Sequence, residues 1–425
     1  MKHMKFKQIC PLLSLSLMGI LMVSCELNEL DNYAAPDAQL FGYIIDSETG
    51  EYVTSELFNG STVSLTQLGY ENPTNIYLKV DMNGKYENDL VFGGQYRIKP
   101  YARNYIYKGT GDTITISGHQ QYDFNVVPFV RFIDPSMTVE GQKVKATFKI
   151  KNNLAEEGVN INKIALFLYD GPMVGSQVRN AASKIMTVDT TYDPDELQSI
   201  TLNLPSHMND IQAGKTYYFR LGALSSYSGA VYNFSNIIPL KMPDVITEET
   251  SDGVMISDCD FVSKSGVGAW SNNGNANQPN VILDGFDCTQ GEYSVKFGIT
   301  TNTKSPFRIQ YKGSYGVKTG VTKATGILKF DMYVSDAEAL QLTAGQIEIT
   351  SSGKADSQEI GWNLPGCLSG LQTGWNHIEL TLSDGVIKGG EFNPDNVNWF
   401  RFYASGKYLK DCYIKIDNLR MCTKQ

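Results

Sequence analysis

A saccharide site needs flat apolar rings to cover the C–H faces of a pyranose, and planar polar groups to answer its hydroxyls. The residues of this chain that could supply both are Trp270, Arg308, Tyr315 and Trp362, with Tyr311 in reserve. Trp270 precedes the polar run Ser271-Asn272-Asn273-Gly274-Asn275-Ala276-Asn277, a loop too flexible to bury it fully. Trp362 lies in Glu359-Ile360-Gly361-Trp362-Asn363-Leu364, where either face of a strand is open to it. Arg308 and Gln310 share one strand face by the period of two, while Tyr311 points oppositely or begins the following loop. The competing reading places Trp362 and Tyr311 in a core and uses Trp270 to cover the end of a sandwich.

Other chemistry finds thinner material. Asp258 and Asp260 share a strand face, and with Asp417 they form the chain's one candidate cluster of hard oxygen ligands. The four histidines, His3, His119, His207 and His377, are scattered, and no nucleophile elbow, His-Glu-x-x-His or P-loop is present. Paired carboxylates for glycoside hydrolysis depend on a separation in space that sequence does not carry. Cysteines 259, 288, 367, 412 and 422 are an odd set. Cys259 and Cys422 could pair across neighbouring strands, buried free thiols are the alternative, and without a CxxC spacing zinc is not expected.

The elements that must position these groups are short strands. With 425 residues the chain is long enough for two to four domains. Tyrosine (24), phenylalanine (19) and glycine (39) are plentiful and charged residues make up only 19%, a mixture suited to β-sandwiches. Alternating runs broken by turn signals recur throughout, as in Lys143 to Ile150, where Val144, Ala146, Phe148 and Ile150 share a face. Asn83-Gly84 between Ile76–Asp81 and Tyr86–Leu90 predicts a hairpin. Ile164 to Tyr169 predicts a strand buried on both faces. Pro239 and Pro243 bracket a boundary, after which all four tryptophans and five of the seven cysteines occur.

The N-terminus predicts export. Lys2, Lys5 and Lys7 precede an apolar run from Ile9 to Val23, short of the roughly 20 residues that span a bilayer, so residues 1–24 are expected to be a signal peptide. The run ends in Leu21-Met22-Val23-Ser24-Cys25, which resembles a bacterial lipobox and implies acylation at Cys25. Acyl chains at about 0.8 kcal/mol per buried CH₂ would give a lasting anchor. The remaining chain carries 33 basic against 45 acidic groups, a balance that argues against nucleic-acid and anionic-membrane partners. Residues 25–38 read as a tether, and Glu26, Glu29 and Asp31 in it resemble the surface-export signal of lipoproteins of gut Bacteroidetes.

Three resemblances give this outline a family. Gly42, Asp46 and Gly50, Asn-Gly-Lys-Tyr at 83–86 and Gly94-Gln95-Tyr96 together resemble carboxypeptidase-regulatory or transthyretin-like sandwiches over residues 39–123. Thr216 to Ala223 resembles the late strand of a fibronectin-type sandwich within 124–242. Ile256 to Phe261, Gly291 to Phe297, Gly374-Trp375-Asn376 and Ile414 to Leu419, in that order, resemble a galactose-binding-like jelly roll over 243–425. The expected fold is therefore all-β, three tandem sandwiches. The jelly-roll resemblance implies neighbouring first and last strands, core roles for Trp375 and Trp399, and a structural calcium ion at Asp258, Asp260 and Asp417, solvated edge carboxylates being the alternative there. No other cofactor is expected. The whole resembles lipoproteins of Bacteroidetes polysaccharide-utilisation loci, which implies non-catalytic surface glycan binding beside a Sus-type outer-membrane importer. Rival expectations are an adhesin, recognised by binding to protein; a structural subunit, recognised by co-purification without sugar; and a glycan-cleaving enzyme, recognised by product release.

Overall fold

The computed structural model describes residues 34–247, 252–272, 280–303 and 306–424. The signal segment, Cys25 and most of the expected tether lie outside the described residues, as does the polar loop at 273–279. Within them the chain is built from strands and a few single-turn helices, and none of those helices is long and apolar enough to cross a membrane.

Buried apolar side chains gather in three large clusters in chain order. The first lies between a five-stranded and a four-stranded sheet and includes Leu40, Ile44, Val63, Tyr96 and Phe124. The second lies between three- and five-stranded sheets and includes Val144, Phe148, Ile164, Leu166 and Phe219. Strand Ile161–Tyr169 is central in that five-stranded sheet, which is why it is apolar on both faces: Ile164, Leu166 and Leu168 fill the main core, while Ala165 and Phe167 form a small cluster behind it.

Asn83-Gly84 makes a turn but no hairpin. Gly84 has φ +77° and Asp81 accepts the amides of Asn83 and Lys85 at 2.8 Å each, so the local turn chemistry is as expected. Yet Asn75–Lys79 pairs with Thr62–Gln67, and Lys85–Val91 pairs with Ala38–Asp46 in the other sheet. The turn is a corner between layers, its two flanking strands belonging to different sheets.

The third cluster fills a sandwich of a six-stranded and a seven-stranded sheet. Its first strand, Val254–Ser257, lies antiparallel to its last, Cys412–Thr423. In the larger sheet, Phe307–Val317, Val397–Tyr408, Leu340–Thr350 and Glu359–Leu364 are consecutive neighbours, all antiparallel. Phe400 of this sheet meets Phe330 of the other at 5.5 Å between ring centroids, which locks the layers together. Cys259 and Cys422 are free thiols, not a disulfide, as are Cys288, Cys367 and Cys412.

The units are joined by buried polar contacts. Arg220 of the second unit donates to Ser55 O of the first (2.9 Å), and Glu56 accepts from the Ser176 amide and hydroxyl (2.6 Å each). Between the second and third units, Glu292 takes the ammonium of Lys184 (3.2 Å) and the Asn203 amide (2.8 Å).

Candidate functional site

The seven-stranded sheet shows why three of the expected site residues cannot serve together. Trp270 and Tyr311 are cross-strand partners on its inner face, both 2% exposed, with ring centroids 5.4 Å apart. The Trp270 indole donates to the Ser257 hydroxyl at 3.1 Å. Trp362 is 6% exposed on the same inner face, and its indole donates to Thr381 O at 2.9 Å. All three belong to the core: for Trp362 and Tyr311 this is the competing reading, while Trp270 is itself a core residue and does not merely cover the end of a sandwich. Tyr315 is 76% exposed near the end of its strand, and Arg308 is exposed on the outer face.

That outer face is where polar chemistry collects. Register places twelve residues in three rows across four strands. The first row is Lys312, Trp399, Thr350 and Glu359, and the second is Gln310, Arg401, Glu348 and Gly361. The third is Arg308, Tyr403, Gln346 and Asn363. Strand spacing makes this a patch of about 14 Å by about 13 Å. The sequence Trp399-Phe400-Arg401-Phe402-Tyr403 builds it by alternation: Phe400 and Phe402 enter the core, so Trp399, Arg401 and Tyr403 face out. Trp399 is therefore half-buried on the outer surface and is no core residue, contrary to the expectation from the jelly-roll resemblance. Trp375, the other tryptophan given a core role, is likewise half-buried, and its indole donates to Asp287 at 3.0 Å.

The floor of the patch is a sealed polar layer. Glu348 is fully buried, with Arg401 Nε 2.5 Å from its Oε1, a charge contact too poorly angled to count as a hydrogen bond. Gln346 Oε1 accepts from Tyr403 (3.2 Å) and Lys388 (3.4 Å), while its Nε2 has no partner. Thr350 Oγ1 and the indole nitrogen of Trp399 are also buried without hydrogen bonds. Such groups cost stability when nothing satisfies them, and here they gather on one face. Burial raises the Glu348 carboxyl to about 7, with Glu359 and Asp356 adding to the shift and Arg401 opposing it. Above this layer stand half-exposed Trp399 and Tyr403 and exposed Arg308, Asn363 and Lys388. The arrangement offers two rings on one strand, four residues apart, with amide, guanidinium and ammonium donors between and beside them.

Gly361 keeps that layer in place. A Cβ there would stand 1.8 Å from Gln346 Nε2, so the amide can lie across the sheet only over glycine. Gly361→Ala is expected to cost about 1–3 kcal/mol in urea unfolding. Gln346→Ala in the same chain should recover most of that loss; no recovery would mean the clash lies elsewhere.

The three aspartates do not form a cage. Asp260 accepts the amides of Glu292 (2.9 Å) and Tyr293 (2.7 Å), and burial raises it to about 6. Asp417, held well above the usual carboxylate range by burial, accepts the amides of Thr289 (2.7 Å) and Gln290 (3.1 Å). Asp258 accepts the Asp260 amide at 3.2 Å. Asp260 and Asp417 thus pin the 289–293 segment, and among the described residues no group of three or more His, Cys, Asp or Glu is placed to hold a metal ion.

Comparison with known proteins bears on the first two units. Residues 38–127 match the N-terminal domain of the DUF3823 proteins of unknown function, and residues 130–239 match the DUF3823_C domain of unknown function. No curated protein matches the chain. Among solved structures, a candidate carbohydrate-binding protein from Bacteroides uniformis is 26% identical, with TM-score 0.44, covering 49% of this chain and 100% of that one. A DUF3823 family protein from the same organism is 18% identical, with TM-score 0.42 and the same coverage. A family 11 carbohydrate-binding module of a cellulosomal cellulase of Clostridium thermocellum is 14% identical, with TM-score 0.28, covering 41% of this chain and 96% of its own. Over residues 38–239, then, the chain matches the two DUF3823 domain models in succession, and the patch of the seven-stranded sheet lies in the unit beyond them.

Proposed function

We propose that this is a non-catalytic glycan-binding lipoprotein, anchored through Cys25 to the outer membrane and exposed at the cell surface, that captures polysaccharide for a Sus-type importer. The saccharide lies along the outer face of the seven-stranded sheet. Trp399 and Tyr403 take sugar ring faces, Arg308, Asn363 and Lys388 take hydroxyls, and the buried row of Gln346, Glu348 and Arg401 holds these in place. One observation carries the reading: buried polar groups without hydrogen-bond partners, on Gln346 and Thr350, lie on the strand directly beside two half-exposed aromatic rings, Tyr403 and Trp399. The first two units serve as spacers. A chain held near the surface sees neighbouring enzymes and transporter at raised effective concentration, so modest affinity suffices. The lipobox-like segment and the acidic residues after it support the anchor.

The test is gel retardation of the acyl-free chain against a panel of plant and host polysaccharides. Retardation by at least one neutral polysaccharide is expected, and mobility unchanged by the whole panel sinks the reading. A second reading has one observation in its favour. A carboxyl at about 7 with Glu359 on the neighbouring strand is the pattern of a glycosidase acid and its partner. Glu348 is fully buried beneath Arg401, so it touches no substrate unless that guanidinium moves, and binding is the better account. Product release from the panel, lost in Glu348→Gln, would reverse this ranking.

A further inference from the structure

A cleft of about 850 Å³ opens between the second and third units, on the opposite side of the jelly roll from the patch just described. It is of the size that takes small organic ligands, roughly 300–1,000 Å³. One wall is the strand and loop at 185–193 of the second unit; the other is the outer face of the six-stranded sheet, from strands Val281–Asp284, Ser294–Ile299 and Cys412–Thr423.

We propose that this cleft is a second saccharide site, taking the end of an uncharged oligosaccharide. Its rings come from both units. The rings open to a sugar are Tyr192 and Phe286, which meet across the interface at 6.0 Å between centroids; Tyr413 lines the floor with Tyr333 stacked on it at 5.8 Å and 10° and Lys296 over its ring at 4.0 Å, so it offers no free face. Half-buried rings beside Gln198 and the hydroxyls of Thr187 and Thr190 suit a polyhydroxylated ring with apolar faces.

Charge selects the class. Lys296 and Lys415 on the floor are both tied to Asp284, at 3.0 and 3.2 Å, and lie over the Tyr413 and Tyr333 rings. The facing wall carries Asp189, Asp193 and Glu196. With the cations engaged and the opposite wall acidic, uronates and sulfated sugars are repelled and neutral sugars are not.

The two units are also tied to each other beside the cleft. Glu292 of the third unit holds Lys184 and His207 of the second, each at 3.2 Å, and Lys143 donates to Thr289 O at 2.7 Å. Little ordering is left to oppose binding. Two sites on opposite faces would let one protein grip a polymer along the sheet and a chain end in the cleft.

The experiment is calorimetric titration of the full acyl-free chain with cello-, xylo-, manno- and malto-hexaose, and with a galacturonate oligomer. The key variant removes the sheet platform, Trp399→Ala with Tyr403→Ala. That protein should still bind at least one neutral hexaose at one site per chain and should not bind the galacturonate. Adding Tyr192→Gly and Phe286→Ala should weaken the remaining binding at least tenfold. Ile282→Glu, at a rim position already 52% exposed, should do the same without touching the core. Loss of all hexaose binding in the platform variant overturns the cleft proposal and leaves the sheet reading standing. Binding that survives the cleft changes overturns it as well. If the platform variant binds every sugar as the wild type does, the sheet reading fails alone.

Discussion

Replacing Trp399 and Tyr403 together by alanine should lower polysaccharide affinity by one to two orders of magnitude at a stability loss of about 1 kcal/mol, the worth of the Tyr403 hydrogen bond to Gln346. The two rings share one strand with Arg401 between them, and both stand half-exposed above a polar floor. The affinity range corresponds to about 0.7–1.4 kcal/mol for each ring, since each 1.4 kcal/mol is a factor of ten. Since neither side chain belongs to the core cluster, their removal exposes little apolar surface. The control is Trp270→Phe on the reverse of the same sheet, which should leave affinity alone and lower stability, because Trp270 packs on Tyr311 and Phe400. A double variant that is retarded by polysaccharide as strongly as wild type would remove the sheet from consideration as a glycan platform.

The contrast between Trp399 and Trp270 shows what was legible in the residues. Trp270, Tyr311 and Trp362 lie on the buried face of the seven-stranded sheet, while Trp399 and Tyr403 lie on its outer face. In Trp399-Phe400-Arg401-Phe402-Tyr403, arginine marks the outward parity, and Gln346-Ile347-Glu348-Ile349-Thr350 alternates just as strictly. Both signals follow from side chains alternating across a strand, so local sequence suffices to assign each residue to a face. The rows themselves were not legible. They arise because Val397–Tyr408 inserts between strands that begin 90 and 57 residues earlier, at Phe307 and Leu340, and such pairing is set by the whole core. Trp270 misled for a related reason. Its polar neighbours suggested exposure, but pairing with Tyr311 turned the indole inward, where Ser257 satisfies its N–H. The corner at Asn83-Gly84 has the same cause: a turn motif specifies a reversal of direction, not the partner of the strand that follows.

Arg401→Met should produce the largest stability loss on the patch, about 3–5 kcal/mol at pH 8, because it leaves a fully buried carboxylate without its cation. The methionine keeps most of the apolar stem, so the loss reports charge more than packing. Glu348 then decides the pH dependence. Burial holds its carboxyl at about 7, above the ordinary 4.5, so between those values the folded chain binds more protons than the unfolded one. Its contribution is therefore complete below about 4.5 and is lost as pH rises through 7. Without Arg401 the carboxyl should climb further, and the decline should continue at the same slope above pH 7. Asp260 and Asp417, also raised by burial, give slopes of the same sign, but they are common to every variant and cancel in differences. Four proteins are enough: wild type, Glu348→Gln, Arg401→Met and the double variant, unfolded by urea at pH 5 and pH 8. At pH 8 the double variant should regain a large share of what Arg401→Met loses, since a neutral amide needs no counter-charge. At pH 5, with Glu348 protonated, Arg401→Met should lie much nearer the wild type. An equal loss at both pH values would mean that Arg401 acts by packing against Tyr403, whose ring lies 4.9 Å from the guanidinium carbon, and that the buried ion pair does not organise the face.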